Sequence, residues 1–215
     1  MKTTGWTMIS DFPKIESPFV RKEIDGAYVV TPEIAEGYEW VFNDESVLAV
    51  EKLHGTNVSI LIQDGVITSI WNRTERIPFF NKGKSHIIKG LLESYGKGYM
   101  EFLPDGQHFG ELIGEGVNGN PYKIKGNIWI PFATYAKEHL HYKSWGKYPK
   151  DFATISEWFK TLIPLYCWRI HGKELCDKNP DFAFVEGIVF THPDGRMAKL
   201  RRDMFYWFIG ERNRE

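Results

Sequence analysis

The chain has 215 residues, of which 42% are hydrophobic and 15% aromatic, so we expect a folded chain with a sizeable core and not a disordered one. Lys and Arg number 27 against 28 Asp and Glu, giving a net charge of −1, which excludes nucleic-acid wrapping by overall charge and leaves a local basic patch as the anion-binding option. The start MKTTGWTMISDF has no apolar leader core, and no run approaches the ~18 apolar residues of a membrane span, so we expect a cytoplasmic chain without a membrane partner.

The first predicted strands surround an Asp-Gly pair. Residues 46–51 (SVLAVE) form a short apolar run, and residues 56–63 (TNVSILIQ) partly alternate between apolar and polar side chains. Asp64-Gly65 follows, and then the β-rich run VITSIW at residues 66–71. Two β-rich runs separated by Asp-Gly predict a hairpin with a two-residue turn.

Residues 84–95 (KSHIIKGLLESY) are the first predicted helix. Their apolar side chains recur near helical spacing, and Gly96 follows as a candidate C-cap. Two further runs, residues 108–114 (HFGELIG) and 127–136 (NIWIPFATYA), are rich in aromatic and branched residues. Both are therefore predicted as strands.

The last third of the chain adds a second helix and a second hairpin. Residues 154–163 (TISEWFKTLI) are predicted as a helix, with Thr154 or Ser156 as its N-cap. FVEGIVF at residues 184–190 and RMAKLRR at residues 196–202 flank Pro-Asp-Gly, which predicts a hairpin. Many strands with a few helices indicate the α+β class, with antiparallel sheets flanked by helices.

Several short motifs fail on their context. GEGVNG at residues 114–119 matches the dinucleotide pattern G-x-G-x-x-G, but Asn-Pro-Tyr follows where a helix should begin. Gly-Lys-Ser at residues 83–85 resembles the end of a P-loop, yet Pro78 stands where the first glycine belongs. EHLH at residues 138–141 offers metal ligands, but no companion Cys or His has suitable spacing. A polar loop or strand end is expected there.

The remaining aromatic and sulfur-containing residues have structural interpretations. Trp158 and Phe159 lie inside the second predicted helix and are expected in the core, not on a stacking surface. Cys167 and Cys176 have no CxxC or metal-finger spacing. This favours the reduced thiols of an intracellular protein and leaves one disulfide as the alternative.

What remains is a set of polar residues at the ends of predicted strands: Lys52, Arg73, Glu111, Glu186, Lys199 and Arg201. Taken singly, each is an ordinary surface charge. Lys199 and Arg201, however, share one face of an alternating strand. Two like charges on one face are costly unless an anion lies between them, which favours a phosphate site.

Together these residues suit an attack on phosphorus. A lysine amine becomes nucleophilic when it is deprotonated, and burial and nearby cations favour that form. Arg73, Lys199 and Arg201 could supply the cations and also hold a triphosphate. A carboxylate such as Glu186 would hold a hard cation such as Mg²⁺, which bridges phosphate oxygens. The residues alone therefore predict a lysine nucleophile acting on a phosphorus centre and nothing narrower.

An ordered series of motifs narrows this prediction. EKLHGTN, WNRT, FGEL, IWIPFA, EGIVF and AKLRR occur in this order between about residues 50 and 205. They resemble the covalent nucleotidyltransferase superfamily, and within it the RNA ligase 2 family, which includes the RNA-editing ligases. DNA ligases and mRNA capping enzymes usually have Asp where this chain has His54, whereas this branch of RNA ligases has His. The resemblance implies an ATP-grasp-like ligase adenylation domain.

The resemblance also implies a role for each matching residue. Lys52 would form the lysyl-AMP phosphoramidate, with Glu51 beside it on the adenosine side. His54 and Asn57 would act in later steps, near the reacting phosphates and the RNA end. The other contacts would be Arg73 to the nucleotide or the RNA 5′-phosphate, Glu111 to ribose, Phe132 to the adenine face, Glu186 to the metal, and Lys199 to the α-phosphate. Without its motif, Phe132 would be interpreted as a core aromatic.

Three features depart from the family pattern. Arg201 stands where the final motif usually has a second lysine, so a fixed fork of donors replaces a point donor. Ala133 stands where the family usually has Asp, so one polar contact on the adenine side is missing. Only residues 202–215 follow the last motif. We therefore expect one nearly bare catalytic domain over residues 1–215, without a separate C-terminal domain, whose extra RNA contacts come from its own surface or from a protein partner.

The resemblance thus implies an ATP-dependent RNA ligase of a cell, virus or phage that uses ATP with Mg²⁺ or Mn²⁺. It would join 3′-OH and 5′-phosphate ends of RNA through lysyl-AMP and an adenylated 5′ end. A DNA ligase is one alternative, and His54 argues against it. A non-catalytic nucleotide- or RNA-binding module is another. The joint presence of Lys52, Glu111, Glu186 and Lys199 argues against that module, because binding needs no nucleophile.

Overall fold

The computed structural model describes residues 9–80 and 82–212; residues 1–8, where no leader is expected, lie outside these ranges. The strands are β1 (Phe19–Ile24), β2 (Ala27–Ile34), β3 (Leu48–Lys52), β4 (Thr56–Gln63), β5 (Val66–Asn72), β6 (Glu75–Ile77), β7 (Gly106–Gly114), β8 (Asn127–Pro131), β9 (Gly187–Thr191) and β10 (Met197–Arg201). The helices are α1 (Trp40–Asn43), α2 (Ser85–Gly96), α3 (Lys137–His139), α4 (Phe152–Lys160), α5 (Leu165–His171) and α6 (Lys173–Lys178).

The strands of the described ranges form three antiparallel sheets. Their orders are β1-β2, β10-β9-β3 and β6-β5-β4-β7-β8. The predicted α+β class, antiparallel sheets flanked by helices, is confirmed. The described residues gather into two compact units: a first unit of residues 9–14, 55–120 and 124–135, and a second unit of residues 15–54, 121–123 and 136–212. One adenylation domain over residues 1–215 stays a prediction.

The first unit is built on the five-stranded sheet, with α2 packed beside β8. The predicted hairpin of β4 and β5 is confirmed: Asp64 and Gly65 have φ angles of 50° and 72°, as a two-residue hairpin turn requires. The Asp105 carboxylate accepts both of their N–H groups at 2.8 and 3.0 Å. The core of this unit contains Val58, Ile60, Ile62, Ile70, Ile77, Ile87, Leu91, Leu112, Val117 and Trp129.

The second unit contains the three-stranded sheet and the helices α1 and α3 to α6. The predicted hairpin of β9 and β10 is confirmed, and β3 pairs with the other edge of β9. Apolar side chains from one face of this sheet, including Ala49, Ile188 and Leu200, enter a core with the aromatic residues of α4. Phe159 is fully buried there and Trp158 packs against it, which confirms the core prediction for both.

Both predicted helices are present with different ends. The first is Ser85–Gly96, so Gly96 is inside the helix and not its C-cap; the cap is Lys97, whose N–H bonds to Glu93 and Tyr95 carbonyls. The second begins at Phe152, before the predicted start, because Asp151 is the N-cap and its carboxylate accepts the Thr154 N–H at 3.0 Å.

The strand predicted over residues 127–136 is only half as long. It ends at Pro131, and Phe132–Ala136 continue as a π-helical turn. Pro131 occupies the last pair with β7, opposite Gly110. Proline has no N–H for the ladder, so its place at the strand end accords with the change of structure that follows.

The two cysteines of the second unit are not linked to each other. Cys167 and Cys176 are both buried free thiols. Burial raises the pKa of Cys167 to about 12, so this thiol stays protonated in ordinary buffers. Over the described ranges, every helix is too short or too polar to cross a membrane.

Candidate active site

Three polar side chains of the second unit meet where β3 ends and β9 begins. Lys52 is the last residue of β3, His54 lies two residues later, and Glu186 directly precedes β9. Lys52 Nζ lies 2.9 Å from each carboxylate oxygen of Glu186, and His54 Nδ1 lies 3.1 Å from Oε2. The Glu186 side chain is 8% exposed, against 24% for Lys52 and 27% for His54. A buried carboxylate thus holds an accessible amine and an accessible imidazole.

The charge of Glu186 depends on these two partners. Burial alone would raise the pKa of Glu186, but the hydrogen bond from His54 and the positive charge of Lys52 outweigh it. The pKa therefore lies below the ordinary value of glutamate, and the carboxylate is ionised near neutral pH. Because an ammonium has no free electron pair, Lys52 must lose a proton before it can attack an electrophile.

The register of the three-stranded sheet aligns the candidate cations with Lys52. Lys52 and Arg201 both pair with Gly187, and Lys199 pairs with Val189, two residues further along β9. Directly paired residues share a face, so Lys52, Lys199 and Arg201 lie on the same one. Gly187 permits this close packing, because a Cβ there would lie 2.6 Å from the Arg201 Cα.

Arg201 has an anion from the protein itself. Its Nε donates to Asp203 Oδ1 at 2.8 Å, and both side chains are less than a tenth exposed. Arg201 therefore needs no phosphate to balance its charge, since Asp203 already compensates the buried guanidinium. A phosphate site at Lys199 stays a prediction. Lys199 is half-buried at the middle of β10, where its N–H donates to the Glu16 carbonyl.

Glu51 points away from Lys52 into the core of the second unit. Its carboxylate accepts the Tyr166 N–H at 2.9 Å through Oε2, while Oε1 is buried without a hydrogen-bond partner in the described ranges. Burial raises the pKa of Glu51 to about 8, against the lowering effect of the Tyr166 and Leu165 N–H groups. Strand alternation thus corrects the expected place of this side chain from the adenosine side to the buried side of β3.

In the first unit, Asn57 and Glu111 are direct neighbours on β4 and β7. Glu111 Oε1 accepts the Gly55 N–H at 2.9 Å, and the Asn118 amide bonds to the Gly55 carbonyl. A side chain at residue 55 would overlap Ile113, 2.7 Å from the added Cβ. The N–H and the carbonyl of Gly55 are therefore both hydrogen-bonded. Glu111 thus has a structural contact in addition to the ligand contact that was predicted for it.

Arg73 and Phe132 are also in the first unit. Arg73 is exposed at the turn between β5 and β6, with φ of 52°. The pairing of Val58 with Asn72 brings it to the same end of the sheet as Asn57. Phe132 is half-buried, and its ring centroid lies 5.2 Å from that of Phe12, which the sequence did not single out. A half-buried ring such as that of Phe132 can pack against Phe12 and still offer surface to a nucleotide base.

Three further residues of the second unit were missed. Phe184 packs on the His54 ring at 5.7 Å, Tyr122 accepts the His54 N–H through its hydroxyl oxygen at 2.6 Å, and Asp203 binds Arg201. Phe184 stands inside the EGIVF region and could have been found as its flank. Tyr122 follows a rejected glycine motif by a few residues, and no sequence pattern connects it to His54.

The carboxylates of the described ranges do not form a metal cage by themselves. No group of three or more His, Cys, Asp or Glu side chains in these ranges could hold a metal ion. Mg²⁺, however, usually takes one or two carboxylates and completes its shell with waters and substrate phosphates. Glu186, a buried and ionised carboxylate beside the accessible Lys52 amine, fits that mode of binding.

Comparisons with known proteins give only distant similarity. No family model and no curated protein matches the chain. A structure of a Naegleria gruberi RNA ligase variant in the apo state is 16% identical over 88% of this chain and 61% of that chain, with a TM-score of 0.43. A second, with PPi, is 15% identical over 94% and 60%, with a TM-score of 0.42. A third, a variant with ATP and Mn, is 15% identical over 89% and 60%, with a TM-score of 0.45. This chain thus spans about three fifths of the length of those ligases. Similarity at this identity and TM-score carries no argument about activity, so a proposal for the activity must come from the residues of this chain.

Proposed function

We propose that the chain is an ATP-dependent RNA ligase whose nucleophile is Lys52. The observation that carries the proposal is the contact of Lys52 and His54 with Glu186, at 2.9 and 3.1 Å. These residues come from the first and fifth motifs of the ordered series, 134 positions apart for Lys52 and Glu186. A surface charge has no need of a buried carboxylate partner, whereas a reactive amine must be held in place.

The reaction has three transfers. Lys52 Nζ, after losing a proton, attacks the α-phosphorus of ATP; the P–N bond forms, the bond to the β-phosphate oxygen breaks, and pyrophosphate leaves. AMP then passes to the 5′-phosphate of RNA and frees the lysine. A 3′-OH attacks the adenylated end, a phosphodiester forms, and AMP leaves. Positioning and charge stabilisation supply most of the catalysis in such reactions.

The residues around Lys52 divide this work in the proposal. Lys199, on the face of Lys52, contacts the α-phosphate, and Arg201 with Asp203 holds β10 in place. Glu186 is the carboxylate for Mg²⁺ or Mn²⁺, which would neutralise phosphate charge when it binds with ATP. His54 acts in the later steps. Glu51 supports β3 from the core and does not contact adenosine.

Four residues of the first unit take the nucleotide and RNA in this proposal. Phe132 stacks on adenine and Glu111 contacts ribose. Arg73 contacts the nucleotide or the 5′-phosphate of RNA, and Asn57 contacts the RNA end. The buried Asn57 Oδ1, which has no hydrogen-bond partner in the described ranges, supports a ligand contact there.

Incubation with α-labelled ATP and Mg²⁺, followed by denaturing electrophoresis, tests the proposal. We expect an acid-labile label on the wild-type chain and none on Lys52→Ala, since only an amine at this place can form the phosphoramidate. Lys22→Ala is the matched control, because Lys22 is an exposed lysine paired with Glu33 in β1 and β2. A wild-type chain that never labels, and whose mass shows no AMP already attached, would contradict the proposal.

The labelled chain is then offered single-stranded RNA, a nicked RNA duplex and nicked DNA, all with 5′-phosphates. His54 favours RNA over DNA, so sealing of the RNA substrates is expected to exceed sealing of the DNA nick. Efficient sealing of DNA alone would replace the RNA ligase with a DNA ligase. Labelling without sealing of any end would leave a nucleotide-binding module that reacts with ATP.

A further inference from the structure

Tyr122 connects a buried part of the second unit to the backbone of His54. The side chain of Tyr122 is fully buried. Its hydroxyl oxygen accepts the His54 N–H at 2.6 Å. The ladder between β3 and β9 ends at the pair of Lys52 and Gly187, so the sheet offers this N–H no partner. Tyr122 therefore replaces the sheet as the hydrogen-bond partner that fixes the backbone of His54.

The ring of Tyr122 also reaches the residues that flank Glu186. It packs edge-on against Phe184, with centroids 5.6 Å apart, and Phe184 in turn packs on the His54 ring at 5.7 Å. Glu186, two residues after Phe184, receives the His54 Nδ1 contact at 3.1 Å. Tyr122 thus constrains His54 through its backbone and, by way of Phe184, through its imidazole.

Tyr122 is itself held on more than one side. His171 Nε2 lies 2.6 Å from the Tyr122 carbonyl oxygen. Tyr166, whose N–H binds Glu51, packs edge-on against the Tyr122 ring at 5.3 Å. Because these contacts hold Tyr122 in place, it can restrict the conformations of the groups that it contacts.

We propose that Tyr122 is a positioning residue that holds His54 against Glu186 for the sealing steps. The proposal rests on the proposed function, in which His54 acts after Lys52 has taken up AMP. Because Tyr122 is fully buried, it does not touch the substrate, and in this proposal it affects the reaction through His54. Its loss is therefore expected to affect sealing and to leave the attachment of AMP to Lys52 nearly unchanged.

Tyr122→Phe keeps the ring and removes the acceptor of the His54 N–H. We expect AMP labelling within about twofold of the wild type and sealing of a nicked RNA duplex lowered by about tenfold, the effect of one lost buried hydrogen bond. Tyr142→Phe is the matched control, because its buried hydroxyl donates to the Ile163 carbonyl at 2.9 Å and no contact joins it to His54. Sealing by Tyr142→Phe should stay near that of the wild type.

A double variant separates positioning from a general loss of structure. When His54→Ala is already present, adding Tyr122→Phe should lower sealing by less than about twofold more, because the two changes affect one unit. Full additivity, unchanged sealing by Tyr122→Phe alone, or equal losses of labelling and sealing would each overturn the proposal.

A ligand-free measurement distinguishes failure of this proposal from failure of the proposed function. The imidazole ¹⁵N shifts of His54, identified by their absence in His54→Ala, should move in Tyr122→Phe and stay in place in Tyr142→Phe. If the wild-type chain takes no AMP but these shifts move as expected, the ligase function fails and the positioning of His54 by Tyr122 is supported. If the shifts do not move, the positioning proposal is overturned whatever the activity.

Discussion

Glu51 and Lys52 are sequence neighbours whose side chains have opposite surroundings. Lys52 faces Glu186 and solvent, whereas Glu51 lies in the core and binds the first turn of α5 through the Tyr166 N–H. A buried carboxyl without a cation tends to stay neutral, and burial indeed raises the pKa of Glu51 to about 8. The neutral Glu51 carboxyl can therefore anchor β3 without adding a second negative charge, besides that of Glu186, near the Lys52 amine.

This environment makes stability depend on pH. The folded chain keeps the Glu51 proton up to about pH 8, whereas the ordinary carboxyl value is 4.5, so the stability from this group falls as pH rises between the two. The difference corresponds to at most about 5 kcal/mol. Glu51→Gln replaces the carboxyl by a neutral isostere and so removes this loss of stability at high pH. We expect the melting temperature of the variant to exceed that of the wild type at about pH 8.5. The difference in melting temperature should decrease towards about pH 5.

Thermal unfolding followed by circular dichroism across this pH range checks the prediction. Glu157→Gln is the control, because Glu157 is an exposed residue of α4 that pairs with Lys160. A variant at residue 51 that is no more stable than the wild type at high pH would show that the carboxyl is not held neutral.

At the scale of elements, the site of the second unit depends on the strand order β10-β9-β3, and therefore on the turn that joins β9 to β10. The turn between β9 and β10 is tied to the loop after α1 through His192. Its Nε2 lies 2.9 Å from Asp44 Oδ2, and its Nδ1 lies 2.7 Å from Asp194 Oδ1. Two carboxylates around one imidazole favour the imidazolium, so the tie depends on protonation.

The His192 tie should weaken above neutral pH. The hydrogen bonds that the His192 imidazolium donates to Asp194, and then to Asp44, raise the pKa of His192, although burial opposes them. A raised pKa gives stability that is complete below the ordinary value of 6.5 and is lost as pH rises through the folded value. We expect His192→Asn to lower the melting temperature more at about pH 5.5 than at about pH 8.5.

The same melting experiments on His139→Asn provide the control, since His139 lies on an exposed helical turn. The partners Asp44 and Asp194 both have lowered pKa values and stay ionised throughout this pH range. A change in stability with pH is therefore due to titration of the His192 imidazole. An equal destabilisation by His192→Asn at both pH values would mean that packing, and not charge, holds the turn.

Local sequence patterns were enough to predict the strands and helices. They could not predict contacts between segments that are distant in the sequence. Alternation and the Asp-Gly signal predicted both hairpins, and alternation placed Lys199 beside Arg201. The helix caps and the early end of β8 depended on single residues, Asp151 and Pro131, whose effect competes with the hydrophobic period. Tyr122 was missed because tertiary packing alone brings it to His54, 68 positions away. Asp203 is only two residues after Arg201, so this partner was within reach of a local pattern.

At the scale of the whole molecule, charge gives little attraction for a polyanion. The net charge is −1 and the sequence pI is about 6.7. RNA binding by the proposed ligase must therefore come from a few local cations, and not from a general positive field. Among the proposed phosphate contacts, Arg73 of the first unit is the one assigned to RNA, whereas Lys199 of the second unit contacts the α-phosphate of ATP.

A small number of phosphate contacts predicts a shallow but measurable dependence on salt. The logarithm of affinity for single strands falls by about 0.7 per contact for each tenfold rise in salt. With Arg73 as one such contact, affinity for a 5′-phosphorylated RNA should fall about two- to threefold from about 50 to 200 mM salt. Fluorescence anisotropy measures this, and Arg73→Ala should reduce the slope by about 0.7.

Lys22→Ala is the surface control and should leave the slope unchanged, because Lys22 is paired with Glu33 on the exposed β1-β2 ribbon. An affinity that does not change with salt, or a slope that Arg73→Ala leaves intact, would remove Arg73 from the phosphate contacts.

The distance along the chain between Lys52 and Glu186 has a consequence for synthesis. The two residues are 134 positions apart, and β9 lies between β3 and β10 in the sheet. During translation the lysine leaves the ribosome long before its carboxylate partner exists, and contacts of such long range also form slowly in folding. The amine therefore acquires its surroundings only when the last strands are in place, and a prematurely terminated chain that lacks β9 carries a lysine without the partner that holds it.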